Sequence, residues 1–229
     1  MALSHASTNL TTESPPLAKP LMRGWSHAAA SAGSVLLTVL LCWASWGEWP
    51  KMVAMLVFGL SMVEMYTVSA IYHMGRWGEN QLRVLRAMDH SNIFLLIAGT
   101  YTPLTAVMLD GWARTALLVA VWVIAFAGVG LSIFVKHLHR AIRSSLYVIM
   151  GWISVLALPA YLKVLPLSAI GLLVLGGALY TVGAVIYARR KPDPFPRIFG
   201  FHEVFHLFVI TGNLAFVAVM VIWVLPYRA

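Results

Sequence analysis

The sequence predicts an all-α membrane protein built as a bundle of seven transmembrane helices. Of its 229 residues, 60% are hydrophobic and only 10% are charged, whereas a soluble domain typically carries about 25% charged residues. Seven stretches are apolar for long enough to cross a bilayer, which takes about 20 residues in a helix. Polar and apolar residues do not alternate along them, as they would in the strands of a membrane barrel. Helices are therefore the form expected for every span.

The predicted spans follow one another with short connections and make a single membrane domain over residues 23–229. They cover residues 26–46, 51–73, 90–109, 112–134, 144–162, 166–188 and 202–225. Residues 1–22 are rich in Ser, Thr and Pro and lack the apolar run of a signal peptide, so a disordered cytoplasmic tail is predicted there. Cys42 is the only cysteine. An intramolecular disulfide and a cysteine-rich zinc site are therefore excluded.

The distribution of Lys and Arg indicates which way the spans run. Twelve of the 16 basic residues lie on one side of the predicted spans, and only Lys51, Arg114, Lys163 and Arg228 lie on the other. Because cytoplasmic loops carry the excess of Lys and Arg, the N-terminus is predicted to be cytoplasmic and the C-terminus outside. The net charge of +8 is explained by this topology signal, and no nucleic-acid partner is expected. We predict a multi-pass protein of the plasma (inner) membrane.

Two histidines open the seventh span, in the segment FGFHEVFHLFVITG. His202 and His206 are separated by about 400° of helical rotation, so both lie on one face. The second span runs inward and ends at His73, which places a third imidazole in the same leaflet. Polar rings in a membrane helix are costly unless something satisfies them. Three neutral imidazoles with a fourth position open are the pattern of a catalytic zinc site, and we predict that these three histidines bind Zn²⁺.

Two further polar residues are predicted at the same depth. Asp89 begins the third span on the inner side, where its carboxylate is expected to act as a general base, although it could instead pair with Arg86 or cap the helix. Ser69 lies one turn deeper than His73 on the same face. Its hydroxyl is expected to bond to substrate or to water at the metal, with a bond to its own backbone as the alternative. Asp89 and Ser69 are therefore the predicted catalytic residues.

Several polar residues leave alternatives open. The letters HEVFH match the H-E-x-x-H pattern of metalloproteases, but a solvated or Arg-paired position at the cytoplasmic rim explains Glu203 equally well. His27 opens the first span, where it could join the site, but an interfacial histidine bonded to a neighbour is favoured. His137 and His139 lie in a basic loop and are predicted to serve topology or to contact lipid headgroups. Glu64 lies in mid-span, where a carboxyl group must be protonated, paired or facing a cavity.

At these residues the chain resembles the hemolysin III proteins, the bacterial branch of the progestin and adipoQ receptor family. Two segments are similar to the signature blocks of that family, YHMGRWGENQLRVLRAMDHSNIFLLIAGTYTPL and FGFHEVFHLFVITG, and a third, RGWSHAAASAG, is similar to the block that opens its first helix. The resemblance covers residues 21–225. It implies a seven-helix bundle with a cytoplasmic N-terminus, opposite in sense to G-protein-coupled receptors.

The resemblance also implies a site and an activity. Zinc held by three histidines in related receptors matches His73, His202 and His206, and the aspartate and serine of those receptors match Asp89 and Ser69. The wider superfamily includes alkaline ceramidases, which are membrane amide hydrolases. Bacterial members are linked to haemolysis and to control of membrane lipid fluidity.

The first hypothesis is a zinc-dependent intramembrane hydrolase that acts on a lipid amide or ester, in the manner of a ceramidase, and serves membrane lipid or fluidity homeostasis. Its partners would be membrane lipids that supply or receive an acyl chain. The alternative is a non-catalytic sensor or regulator of membrane fluidity with structural zinc, which would need the same residues. A cytolysin and an intramembrane metalloprotease are lower alternatives.

Overall fold

The computed structural model describes residues 19–135 and 138–228. These residues contain seven helical spans that are long and apolar enough to cross a membrane. The helices are α1 (Trp25–Ala44), α2 (Trp49–Met74), α3 (Glu79–Met108), α4 (Gly111–Phe134), α5 (Arg140–Trp152), α6 (Leu158–Tyr161), α7 (Leu167–Arg189) and α8 (Phe201–Val219). No β-strand occurs among these residues. The predicted all-α bundle of seven membrane spans is thus confirmed. Most of the predicted tail, residues 1–18, and His137 lie outside the described residues.

Two spans begin several residues earlier than the sequence predicted. α3 begins at Glu79 and not at residue 90, and the fifth span begins at Arg140 and not at residue 144. Apolarity marks where a helix enters the hydrocarbon layer, whereas these helices start outside that layer in charged sequence. The start of α3 is capped locally, because the Gly78 N–H donates to Gln81 Oε1 at 3.1 Å and so satisfies one of the free donors of the helix terminus.

The fifth span consists of two helices joined by a tighter turn. α5 ends at Trp152, a 3₁₀ turn covers Ile153–Ala157, and α6 completes the crossing. Backbone groups freed by such a break inside a membrane need other partners. Tyr101 of α3 supplies them, since its hydroxyl donates to the Gly151 carbonyl at 2.7 Å and accepts from the Ser154 N–H at 2.7 Å. The break is therefore tied to the central helix of the bundle.

Helix α3 occupies the centre of the bundle and is its most buried span. It packs against α2 and α4, while α1 packs on α2, and α7 pairs with α8. The outer helices bury only a narrow face and expose the rest of their apolar side chains. Those exposed faces are the surface expected to contact lipid, in which an apolar exterior carries no penalty.

The contact between α2 and α3 depends on a glycine. A Cβ atom on Gly99 would lie 2.2 Å from Ser61 Oγ and 2.6 Å from Ser61 Cβ, closer than atoms can approach. We expect Gly99→Ala to lower the free energy of unfolding by about 1–3 kcal/mol, as overpacking of a close contact usually does. Gly130→Ala on α4 is the matched control, since no described atom lies within 4 Å of its Cβ position. Thermal unfolding in detergent measures both, and equal stability of the two variants would contradict the close packing.

Helix α2 ends and α8 begins at the same end of the bundle, which we call the histidine end. The segment before α1 crosses this end and pairs with the loop that leads into α8. The Leu21 N–H donates to the Arg197 carbonyl and the Met22 N–H to the Ile198 carbonyl, both at 3.0 Å. The beginnings of α1 and α8 are thereby held together. That this end faces the cytoplasm stays a prediction of the charge distribution.

Candidate metal centre

Two helix ends bring the three histidines together. His73 lies in the last turn of α2, and His202 and His206 lie in the first two turns of α8. All three are buried, and one ring nitrogen from each lies within 4.8 Å of the others. The Nε2 atoms of His73 and His202 are 3.0 Å apart. Segments that are 129 residues apart in the chain thus place their imidazoles at one point.

The geometry of this cluster fits a metal ion. Tetrahedral zinc with Zn–N bonds of 2.0–2.1 Å requires neighbouring ligand nitrogens about 3.3 Å apart, close to the 3.0 Å between His73 and His202. His206 Nδ1 is buried and has no hydrogen-bond partner among the described residues. A buried polar atom left unsatisfied costs about 1–3 kcal/mol. An all-imidazole donor set suits zinc and similar ions better than calcium or magnesium, which prefer oxygen ligands.

His27 joins this cluster, so the prediction of an interfacial histidine bonded to a neighbour is wrong. Its side chain is fully buried, and its ring stacks on the ring of His206 with centroids 3.6 Å apart and planes 7° from parallel. Neither of its ring nitrogens has a partner among the described residues. Only the packing of α1 against α8 shows this contact. The available sequence signal was its position at the same predicted depth as the other three histidines.

Asp89 and Ser69 lie beside the cluster. Both are buried, and the Ser69 hydroxyl lies next to the Asp89 carboxyl group. Both side chains line the cavity that His73, His202 and His206 also line. The described ion pairs include none to Asp89, so the predicted alternative of a salt bridge with Arg86 is not adopted. A buried carboxylate next to a candidate metal site is placed to exchange protons with a bound substrate.

The cavity extends from the histidine end into the bundle. Its volume is about 920 Å³, at the upper end of the range for small-molecule sites. Apolar side chains from α3, α7 and α8 line much of it, including Ile97, Leu104, Leu173, Val209 and Phe216. The charged lining side chains lie at the histidine end, while hydroxyl groups such as that of Tyr161 line the deeper part. The cavity therefore combines a charged mouth with a largely apolar interior.

Glu203 is committed to structural contacts. It is 1% exposed, its Oε1 pairs with the Arg23 guanidinium, and its Oε2 accepts from the Gly200 N–H at 2.7 Å. The first contact joins the segment before α1 to α8, and the second caps α8. Of the alternatives left open by the sequence, the Arg-paired one is therefore found. With both oxygens engaged, the carboxylate is poorly placed to act as the base of a metalloprotease.

Glu64 faces outward from α2 and does not line the cavity. Asn92 of α3 lies beside it. With the Asn92 amide oriented so that both of its polar atoms are satisfied, its nitrogen donates to Glu64 Oε1 at 3.3 Å and to the Met88 carbonyl at 3.2 Å. Of the three possibilities raised by the sequence, the structure excludes the cavity and supports a pairing.

Two comparisons with known proteins agree with each other. The family model described as "Haemolysin-III related" matches residues 16–217. A Bacillus subtilis (strain 168) protein named "Hemolysin-3 homolog" is 33% identical over 180 residues, which are 79% of this chain and 81% of that protein. A Bacillus cereus protein named "Hemolysin-3" is 35% identical over 193 residues, covering 83% of this chain and 84% of that protein.

Proposed function

We propose that this chain, which belongs to the haemolysin III family, is a zinc-dependent hydrolase that acts within the membrane on a lipid amide or ester. The observation that supports this most is that the three clustered histidines and Asp89 share one cavity with an apolar interior. The chain is a multi-pass membrane protein, and we place it in the plasma (inner) membrane with the histidine end in the cytoplasmic leaflet. The activity would serve membrane lipid or fluidity homeostasis.

In this proposal His73, His202 and His206 hold the zinc ion. When bound, zinc lowers the pKa of water towards about 7 and polarises a carbonyl oxygen, which is the chemistry that hydrolysis of an amide or ester needs. Asp89 accepts a proton from the attacking water and returns it to the leaving group. Ser69, whose hydroxyl lies next to the Asp89 carboxyl group, orients the attacking water or the substrate.

The rest of the cavity binds the lipid. Its apolar walls from α3, α7 and α8 take an acyl chain, whose burial contributes about 0.8 kcal/mol per CH₂ group. The charged lining side chains lie at the histidine end, so the scissile carbonyl of a bound chain would lie near the histidines and Asp89. Lipid bound in this way keeps bulk water away from the reacting groups, which strengthens their electrostatic interactions.

Turnover by the purified protein tests the proposal. We expect the full chain to contain about one zinc per molecule and to release fatty acid from a ceramide-like amide or from a phospholipid ester, measured by mass spectrometry. Removal of zinc with a chelator should abolish release, and added zinc should restore it. Zinc-replete protein that releases no fatty acid from either lipid class would remove the hydrolase proposal while leaving the metal site intact.

A further inference from the structure

The mouth of the cavity is strongly positive. Six basic side chains line it, and Asp89 is the only carboxylate among the described lining residues. The basic residues come from the segment before α1, from α3, from the start of α5 and from the end of α7: Lys19, Arg23, Arg86, Arg140, Arg143 and Arg190. Of these, Arg23 is neutralised by Glu203. The remaining positive charge is available to a ligand.

Arg140 and Arg143 lie at the N-terminal end of α5, where a positive charge is unfavourable. They lie in the first turn of α5, where the helix dipole favours anions, and that turn contains no acidic residue. Neither takes part in any ion pair among the described residues. Arg140 Nη1 donates to the Tyr187 carbonyl at 3.4 Å, and the guanidinium lies 4.8 Å from the centre of the Tyr187 ring. These neutral contacts hold the Arg140 guanidinium at the cavity without cancelling its charge.

Arg143 has an unused donor. Its Nη1 lies 2.8 Å from His90 Nδ1 and 3.1 Å from His90 Nε2, so a neutral ring orients the guanidinium. Its Nε is buried and has no partner among the described residues. A guanidinium presents its donors in a planar fork that matches phosphate oxygens. A partly buried cation with a free donor is stabilised when an anion binds to it.

The excess of Lys and Arg that sets membrane orientation does not account for the position of Arg140 and Arg143 in the cavity lining. Arg83 and Arg189 lie at the same end of the bundle, are exposed, and stand outside the cavity lining. Such exposed residues satisfy the requirement for basic loops at one membrane face. That requirement does not call for two arginines inside the cavity at a helix N-terminus, a position that suits a bound phosphate.

We infer that the cavity binds an anionic phospholipid, with its phosphate at Arg140 and Arg143 and an acyl chain in the apolar interior. This rests on the proposed function and narrows its substrate class from lipid amides and esters to acyl esters of anionic phospholipids. Hydrolysis would add one water across the ester and release a fatty acid and a lysophospholipid. Arg86, whose Nε donates to the Tyr72 hydroxyl at 3.2 Å, supplies a further positive charge to the headgroup.

Lipid binding by the full chain in detergent tests the inference. Native mass spectrometry with phosphatidylglycerol and with phosphatidylcholine of the same acyl chains should show at least tenfold tighter binding of phosphatidylglycerol. Arg140→Gln and Arg143→Gln should each weaken phosphatidylglycerol binding at least tenfold and weaken phosphatidylcholine binding, whose phosphate is offset by its choline cation, by a clearly smaller factor. Arg83→Gln is the matched control, with the same charge change outside the cavity, and should leave both affinities unchanged. Thermal unfolding identifies any variant that fails to fold, and Arg143→Lys then serves as the second variant, expected to keep the preference for phosphatidylglycerol.

Three outcomes would overturn the inference. Equal affinity for the two lipids would remove the headgroup site. An equal effect of Arg83→Gln and Arg143→Gln would assign the preference to the general charge of the surface. Displacement of phosphatidylglycerol by inorganic phosphate at equal concentration would show a site for a free anion. The binding measurement does not depend on turnover. A preference for phosphatidylglycerol without hydrolysis of any lipid would therefore remove only the proposed function. Turnover of neutral ceramide without that preference would remove only this inference.

Discussion

Replacement of His206 by Ala is expected to lower the zinc content of the purified protein from about one ion per chain to below about 0.1, because two histidines remain where a stable site needs three protein ligands. The decrease in zinc affinity should be larger than the 10–100-fold decrease that follows removal of a side chain hydrogen-bonded to a metal ligand. His206 is fully buried between His27 and the other two ligands. His27 stacks on His206 but is not one of the three clustered histidines. Elemental analysis of purified protein measures the change.

Two further variants distinguish loss of a metal ligand from misfolding as the cause of a lower zinc content. His139→Asn removes an exposed imidazole at the start of α5 and keeps the helix cap, in which His139 accepts from the Ala141 N–H at 3.3 Å. It should retain about one zinc. His206→Cys replaces one zinc ligand by another, so the cobalt-loaded variant should show a thiolate-to-metal absorption band. Zinc retained by His206→Ala, or a cobalt spectrum of His206→Cys without that band, would contradict the proposed ligand set.

Replacement of Asp89 by Asn is expected to lower the rate of lipid hydrolysis by about 10²–10⁴-fold, which is the usual contribution of a general acid–base group. The protein should keep its zinc. Asn fills the same space next to Ser69 but does not accept the proton. The zinc content should not change, because Asp89 is not among the three clustered ligands. Fatty-acid release and elemental analysis of the same preparation measure the two effects together.

Asp193→Asn is the matched control for Asp89→Asn. Asp193 is an exposed carboxylate outside the cavity lining, and its Oδ1 accepts from the Phe201 N–H at 2.8 Å, a contact that Asn preserves. This variant should keep full activity. The same pair of variants distinguishes a hydrolase from a membrane-fluidity regulator with structural zinc. Cells that still control membrane fluidity with Asp89→Asn as their only copy would favour the regulator, whereas cells that lose that control while the variant retains zinc would favour catalysis.

Local patterns were sufficient to predict most of the fold. Runs of about 20 apolar residues locate spans directly, because hydrocarbon excludes unpaired backbone groups and leaves helices as the solution. The boundary at Glu79 was missed because the first turns of α3 are charged and lie beyond the apolar layer. The break in the fifth span was missed because it is stabilised by Tyr101, a residue some 50 positions earlier in the chain. Long-range contacts of this kind leave no local periodic signal.

The candidate site was predictable to the extent that spacing and topology determine it. Helical spacing places His202 and His206 on one face, and the direction of the second span brings His73 to the same end. The neighbours of these residues depend on how the helices pack. The stack of His27 on His206 and the contact of Arg143 with His90 join residues from different helices. The pairing of Glu203 with Arg23 likewise joins positions 180 residues apart.

X-ray absorption spectroscopy at the zinc edge of the purified full chain tests the central claim most directly. The claim is that helices α2 and α8 deliver three imidazoles to one ion. The first shell should then contain about three imidazole nitrogens at 2.0–2.1 Å, with one further light atom. A spectrum from zinc-replete protein with no imidazole scattering, or with a shell of oxygen ligands alone, would contradict it.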